Sequence, residues 1–211
     1  MEFINPEIMQ YSENHSEQED KLLHEINRDT HLKILKPRML SGSYQGQLLS
    51  FISQMIKPIT ILEIGTYVGY SAICLAKGLQ ENGKLITLDN NEELETTIVN
   101  NIKKYGYDKK IEFVLGDAKN YIATTNNLFD LVFIDADKQS YSNYYDLVFD
   151  KVKTGGFILA DNVLWSGKVL DSKKDKDTEI LDEFNKKIAN DTRIEKILLP
   201  IRDGLFLIRK K

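Results

Sequence analysis

The residues best suited to chemistry in this chain follow two apolar runs. Leu131-Val132-Phe133-Ile134 leads into Asp135-Ala136-Asp137-Lys138, and Gly156-Phe157-Ile158-Leu159-Ala160 leads into Asp161-Asn162. If the runs are neighbouring parallel strands, Asp135, Asp161 and Asn162 converge at one sheet edge. Three hard oxygen donors meeting there can hold a divalent cation, Mg2+ first, with Ca2+ or Mn2+ as alternatives. Lys138, three residues beyond Asp135, adds a proton acceptor. A lysine beside a cation gives up its own proton more readily, as a general base must. The plainer reading is a helix cap at Asp135, a turn at Asp161-Asn162 and an exposed lysine on a loop.

A second group of residues sits where a nucleoside would bind. The run Ile61-Leu62-Glu63-Ile64 exits through Gly65-Thr66-Tyr67-Val68-Gly69-Tyr70-Ser71, and a helix pattern starts there. Leu85-Ile86-Thr87-Leu88 ends at Asp89, an acid placed for the two hydroxyls of a ribose. The third strand runs into Gly116-Asp117-Ala118, a polar turn able to face a base. The spacing E-x-G-x-x-x-G differs from the dinucleotide pattern G-x-G-x-x-G. Glu63 would repel a pyrophosphate, whereas its carboxylate suits the ammonium and sulfonium of S-adenosylmethionine. In the simpler alternative, the glycines serve a tight turn and Asp89 caps a helix.

These groups need an open parallel sheet to bring them together. Strand patterns cover 59–64, 84–89, 111–115, 129–135, 156–161, 194–199 and 204–209. Helix patterns cover 69–80, 92–105, 117–124, 140–151 and 177–190. This alternation predicts an α/β, Rossmann-like, seven-stranded, mostly parallel sheet with helices on both faces. The last two strands are joined by Pro200-Ile201-Arg202-Asp203-Gly204, too short for a helix, so they form a terminal antiparallel pair. An N-terminal helical extension precedes the sheet, with helix patterns at 17–35 and 47–56. Residues 1–45 read as a helical cap and 46–211 as the catalytic domain.

Composition narrows the function classes. A net charge of −4 argues against non-specific nucleic-acid binding. No apolar run approaches the roughly 20 residues that span a bilayer, and no secretory signal is evident. The single Cys74 excludes an internal disulfide and a cysteine-based zinc site, which suits a reducing, cytoplasmic setting. His15, His24 and His31 read as surface or packing histidines.

The run Leu62 to Ser71, with Phe133 to Lys138, Asp161 to Gly167 and the closing Asp203-Gly204, resembles the caffeoyl-CoA type of cation-dependent O-methyltransferase. Ser41 through Gln47 is similar to the stretch before that family's core. The resemblance runs from about Tyr11 to Arg209, nearly the whole chain. It implies S-adenosylmethionine contacts at Ser41, Glu63, Gly65, Thr66, Ser71, Asp89, Ala118 and Asp137, although Asp137 also suits a helix cap. It implies metal ligands at Asp135, Asp161 and Asn162, with Lys138 as base and Asp135 completing the catalytic pair. The expected acceptor is a small catechol-like phenol, and the expected assembly is a homodimer. Ser166 replaces an asparagine of the plant enzymes, which puts the plant acceptor in doubt, and Phe206 follows a turn where the related catechol enzyme has a substrate-binding glutamate nearby. Trp165 either walls the acceptor or packs its loop onto the core. The competing reading is a nicotinamide-dependent oxidoreductase. Its Tyr-x-x-x-Lys pair occurs only at Tyr105 and Lys109, before the third strand. Two further readings also fit poorly. A catalytically dead binding protein need not keep Asp135, Lys138, Asp161 and Asn162, and a nucleic-acid amino-methyltransferase would carry a Pro-Pro tetrapeptide after the fourth strand.

Overall fold

In the computed structural model, which describes residues 4–211, the alternating patterns become a layered α/β structure. Three helices come first: α1 (Pro6–Asn14), α2 (Lys21–Lys33) and α3 (Gly42–Ile56). Then follow β1 (Thr60–Ile64), α4 (Tyr70–Ala76), β2 (Lys84–Asp89), α5 (Glu95–Lys104), β3 (Ile111–Leu115), α6 (Ala118–Thr124) and β4 (Phe129–Ile134). The chain ends with α7 (Tyr141–Phe149), β5 (Val152–Asp161), α8 (Lys176–Asn190), β6 (Ile194–Leu199) and β7 (Leu205–Lys210). The seven strands lie in the order β3-β2-β1-β4-β5-β7-β6. β1 to β5 pair in parallel, and β7 runs antiparallel to both its neighbours.

Successive side chains of a strand point to opposite faces, so each central strand feeds two cores. Leu62, Ile64, Val132 and Ile134 pack with Tyr145, Val148 and Phe184 of α7 and α8. Ile61, Leu131, Phe133 and Leu159 pack on the other face with Ile52, Ile73 and Ile98 of α3, α4 and α5. Each such side chain, fully buried, contributes about 1.5–3 kcal/mol. Among the described residues no helix is long and apolar enough to cross a membrane.

Two elements differ from the sequence expectation for physical reasons. α3 begins at Gly42 rather than 47, so the division at 45/46 falls inside a helix. Gly46 lies inside α3 and marks a close approach, since a Cβ there would lie 2.7 Å from the Tyr70 ring of α4. β5 begins at Val152 rather than 156, because the strand continues through a register shift against β4 around Gly155-Gly156. A bulge of this kind looks like a turn in sequence.

Candidate active site

The parallel register lines up the chemistry along one edge. Ile64 pairs with Leu88 on one side and Ile134 on the other, and Ile134 pairs with Ala160. One residue further along each strand lie Asp89, Gly65, Asp135 and Asp161, in a row at the carboxyl ends where open sheets bind ligands.

With Asp161 next to them, Asp135 and Asn162 meet through Lys138. Its Nζ donates to Asp135 Oδ1 at 3.2 Å, to Asn162 Oδ1 at 2.6 Å and to the Tyr141 hydroxyl at 2.7 Å. The lysine is partly buried rather than solvent-facing. Tyr141 is fully buried, and its hydroxyl donates to the main-chain oxygen of Asp161 at 2.9 Å. Asp161 is buried as well. Desolvation first, then the nearby Asp135 charge, pushes its carboxyl up to about 6. Asn162 adopts the left-handed conformation at φ 58°. Trp165, Ser166 and Arg202 nearby do the same, a concentration of uncommon backbone that is frequent at functional sites.

This donor set fits a hard cation. Two carboxylates and an amide oxygen crowd one poorly solvated corner, and an ammonium already stands between two of those oxygens. Among the described residues no group of three or more His, Cys, Asp or Glu side chains converges. The set therefore depends on Asn162 as its third oxygen.

The donor-side residues gather around β1 and β2. Thr66 and Thr87 hydroxyls are 2.6 Å apart, and Thr87 donates to Glu63 Oε2 at 2.5 Å. Glu63 is fully buried, and desolvation drives its carboxyl up to about 8 against the Ser71 and Thr87 hydroxyls beside it. Its Oε1 has no hydrogen-bond partner among the described residues. An unsatisfied buried acceptor of this kind calls for a donor such as an ammonium. Asp89 Oδ2 accepts from the main-chain N–H groups of Thr66 and Tyr67 at 3.0 and 2.8 Å. Its Oδ1 takes only the Asn91 N–H, which leaves room for a ribose hydroxyl. Ala118 is buried at the start of α6, behind the Asp117 cap. Asp137 is exposed and makes no side-chain cap, so the helix-cap alternative lacks its hydrogen bond. Instead Asp137 Oδ1 accepts from Tyr144 Oη at 2.6 Å.

Gly65 also has a close neighbour within the fold. At φ +100° it is in glycine territory, and a Cβ would lie 1.9 Å from the Asp135 carbonyl oxygen. It is needed for contact between strand exits, whatever the ligand. Gly65→Ala is expected to destabilise the protein by more than about 3 kcal/mol in denaturant titration. A loss under about 1 kcal/mol would show that the strand exits can part freely.

The sequence reading missed several residues. Gln45 Nε2 donates to Asp161 Oδ2 at 2.7 Å, and Arg202 Nη1 donates to Gln45 Oε1 at 2.8 Å. Asp203 Oδ1 accepts from the Ser166 N–H. Tyr141 stood three residues after Lys138, one turn along the same helical start, and that spacing was a usable signal. Asp203 stood in the closing Asp203-Gly204 motif, whereas Gln45 and Arg202 had no local signal. A cleft of about 490 Å3 opens beside these groups, lined by Met9 and Glu13 of α1, Ser41, Tyr44, Ser166 and Asp203 among others. Trp165 packs against the core, and Phe206 is buried against Phe184.

An O-methyltransferase family model matches residues 13–211. Caffeoyl-CoA O-methyltransferase of Medicago sativa is 36% identical over 185 residues, which cover 82% of this chain and 75% of its own. An SAH-bound methyltransferase of Podospora anserina superposes with a TM-score of 0.90 at 29% identity, across 99% of this chain and 97% of its own. An O-methyltransferase from Bacillus cereus in complex with SAH gives 0.86 at 28% identity, across 97% of each chain.

Proposed function

The chain belongs to the O-methyltransferase family, and from that premise we propose that it moves the methyl group of S-adenosylmethionine to a hydroxyl of a catechol-like acceptor held by a divalent cation. The nicotinamide alternative falls away with the family assignment. The observation that carries the reading is Lys138 Nζ, within hydrogen-bond reach of Asp135 and Asn162 at the edge shared with Gly65 and Asp89.

A phenol ionises near pH 10, so making the phenolate at neutral pH costs about 4 kcal/mol. When bound by Asp135, Asp161 and Asn162, a divalent cation supplies Lewis acidity against that cost and orients paired hydroxyls. The chain's own residues do the rest. Lys138 Nζ takes the phenolic proton, and Tyr141 holds that nitrogen by accepting from it while anchored on Asp161. Glu63, with one oxygen unpartnered among the described residues, holds the ammonium of the donor, and Asp89 holds its ribose. Ser41, Thr66, Ser71, Ala118 and Asp137 complete the proposed donor cradle. Transfer then joins opposite charges, and catalysis is mainly positioning.

A panel of catechols, flavonoids and acyl-CoA phenols, assayed with Mg2+ and with chelator, tests this. Vicinal dihydroxy acceptors are expected to be methylated, with activity lost in chelator and regained on adding Mg2+. Undiminished transfer in chelator would remove the cation from the reaction.

We also propose a homodimer. Met55 and Ile59 are exposed and border a cavity of about 710 Å3 with Phe157 and Leu207. Exposed apolar side chains rimmed by the charged Lys57, Asp130, Lys153 and Arg209 suit a second copy of the chain. Sedimentation should give a dimer that Met55→Lys weakens, and a monomeric wild type would refute it.

A further inference from the structure

Arg202, in the turn between β6 and β7, points its guanidinium back into the protein. Its Nη1 donates to Gln45 Oε1 at 2.8 Å and to the Ser41 carbonyl, and its Nη2 donates to the Leu40 carbonyl at 3.2 Å. Gln45 in turn donates from Nε2 to Asp161 Oδ2 at 2.7 Å. Gln45 and Asp161 are each only 2% exposed, so the contact between them is shielded from water, while Arg202 reaches in from the surface.

The polarity of this chain of contacts is fixed. A guanidinium only donates and is always charged, so Gln45 must turn its oxygen toward Arg202. That leaves the amide nitrogen for Asp161. Without Arg202 the amide is free to flip and set its oxygen against the Asp161 carboxylate. The same guanidinium grips the carbonyls at 40 and 41, next to the side chain assigned to the methyl donor.

We propose that Gln45 and Arg202 are positioning residues: Gln45 orients Asp161 for the cation, and Arg202 fixes Gln45 and ties that corner to the segment over the methyl donor. This rests on the reading of Asp161 as a metal ligand and Ser41 as a donor contact. Partners behind a metal ligand typically change metal affinity about 10- to 100-fold when removed.

The test measures Mn2+ binding by electron paramagnetic resonance and S-adenosylhomocysteine binding by calorimetry on the full chain. Gln45→Met is expected to weaken Mn2+ about 10- to 100-fold and leave S-adenosylhomocysteine within about twofold. Saturating Mn2+ should restore its kcat, which a merely structural defect would not allow. Arg202→Met is expected to weaken both ligands. Arg202→Lys keeps the charge without the fork, and should fall between Arg202→Met and wild type even if Arg202→Met folds poorly. Mn2+ binding by Gln45→Met within about threefold of wild type would overturn the inference alone. A wild type that binds S-adenosylhomocysteine but no Mn2+ would overturn the metal reading, and this inference with it.

Discussion

Asp161→Ala is expected to lower cation-stimulated methylation of a catechol by about 10³-fold, the size of the phenol ionisation cost at neutral pH. S-adenosylhomocysteine should still bind within about twofold, because the proposed donor contacts other than Ser41 stand along or just beyond β1, β2, β3 and β4, and none is Asp161 itself. The variant also strands Gln45 Nε2, which now donates to Asp161, at a cost of about 1–3 kcal/mol in stability. Calorimetry with S-adenosylhomocysteine separates that loss from the loss of turnover. Unchanged turnover would remove Asp161 from the metal set. The pH dependence has a definite sign. Burial and Asp135 raise the Asp161 carboxyl from 3.8 to about 6. In the metal-free protein the folded chain therefore keeps this proton where the unfolded chain has released it. The group's contribution to stability falls as pH rises from about 4 through about 6. By the same linkage, cation binding should weaken as pH falls below about 6, where a proton competes for Asp161.

Lys138→Met is expected to cost about 10²- to 10⁴-fold in kcat, the usual range for a positioned proton acceptor. The loss should shrink with acceptors carrying acidifying nitro groups, which ionise with less help. Lys138 also neutralises the acidic corner through Asp135, so charge balance is the competing role. A bound cation would take over charge balance but not proton transfer. Turnover within about threefold of wild type at saturating Mg2+ would therefore leave Lys138 with the charge role only.

Much of the site was legible because it depends on strand ends. Apolar runs ending in Asp135 and in Asp161-Asn162 predict neighbours once β4 and β5 are parallel, and the register bears that out. Asp89 was legible for the same reason, although the structure adds that one of its oxygens holds the Thr66 and Tyr67 N–H groups. Gly65 was legible as a glycine at the ligand-binding edge, and the structure adds a second demand on it, since a Cβ there would lie 1.9 Å from the Asp135 carbonyl oxygen. The start of β5 was missed because a bulge with two glycines imitates a turn.

Legible along the chain were a mostly parallel sheet with a closing antiparallel pair and the acids, amide and lysine that follow its strands. These follow from periodicity and from residues adjacent to strands, which are properties of near neighbours along the chain. Only the tertiary structure decided how that edge is held. Gln45 reaches Asp161 across 116 positions, and Arg202 reaches Gln45 across 157. No local pattern encodes such contacts, because they exist only after α3 and the β6–β7 turn have packed over the strand ends. The Glu63 oxygen without a partner among the described residues is likewise a fact of packing, because only the tertiary structure buries that carboxyl.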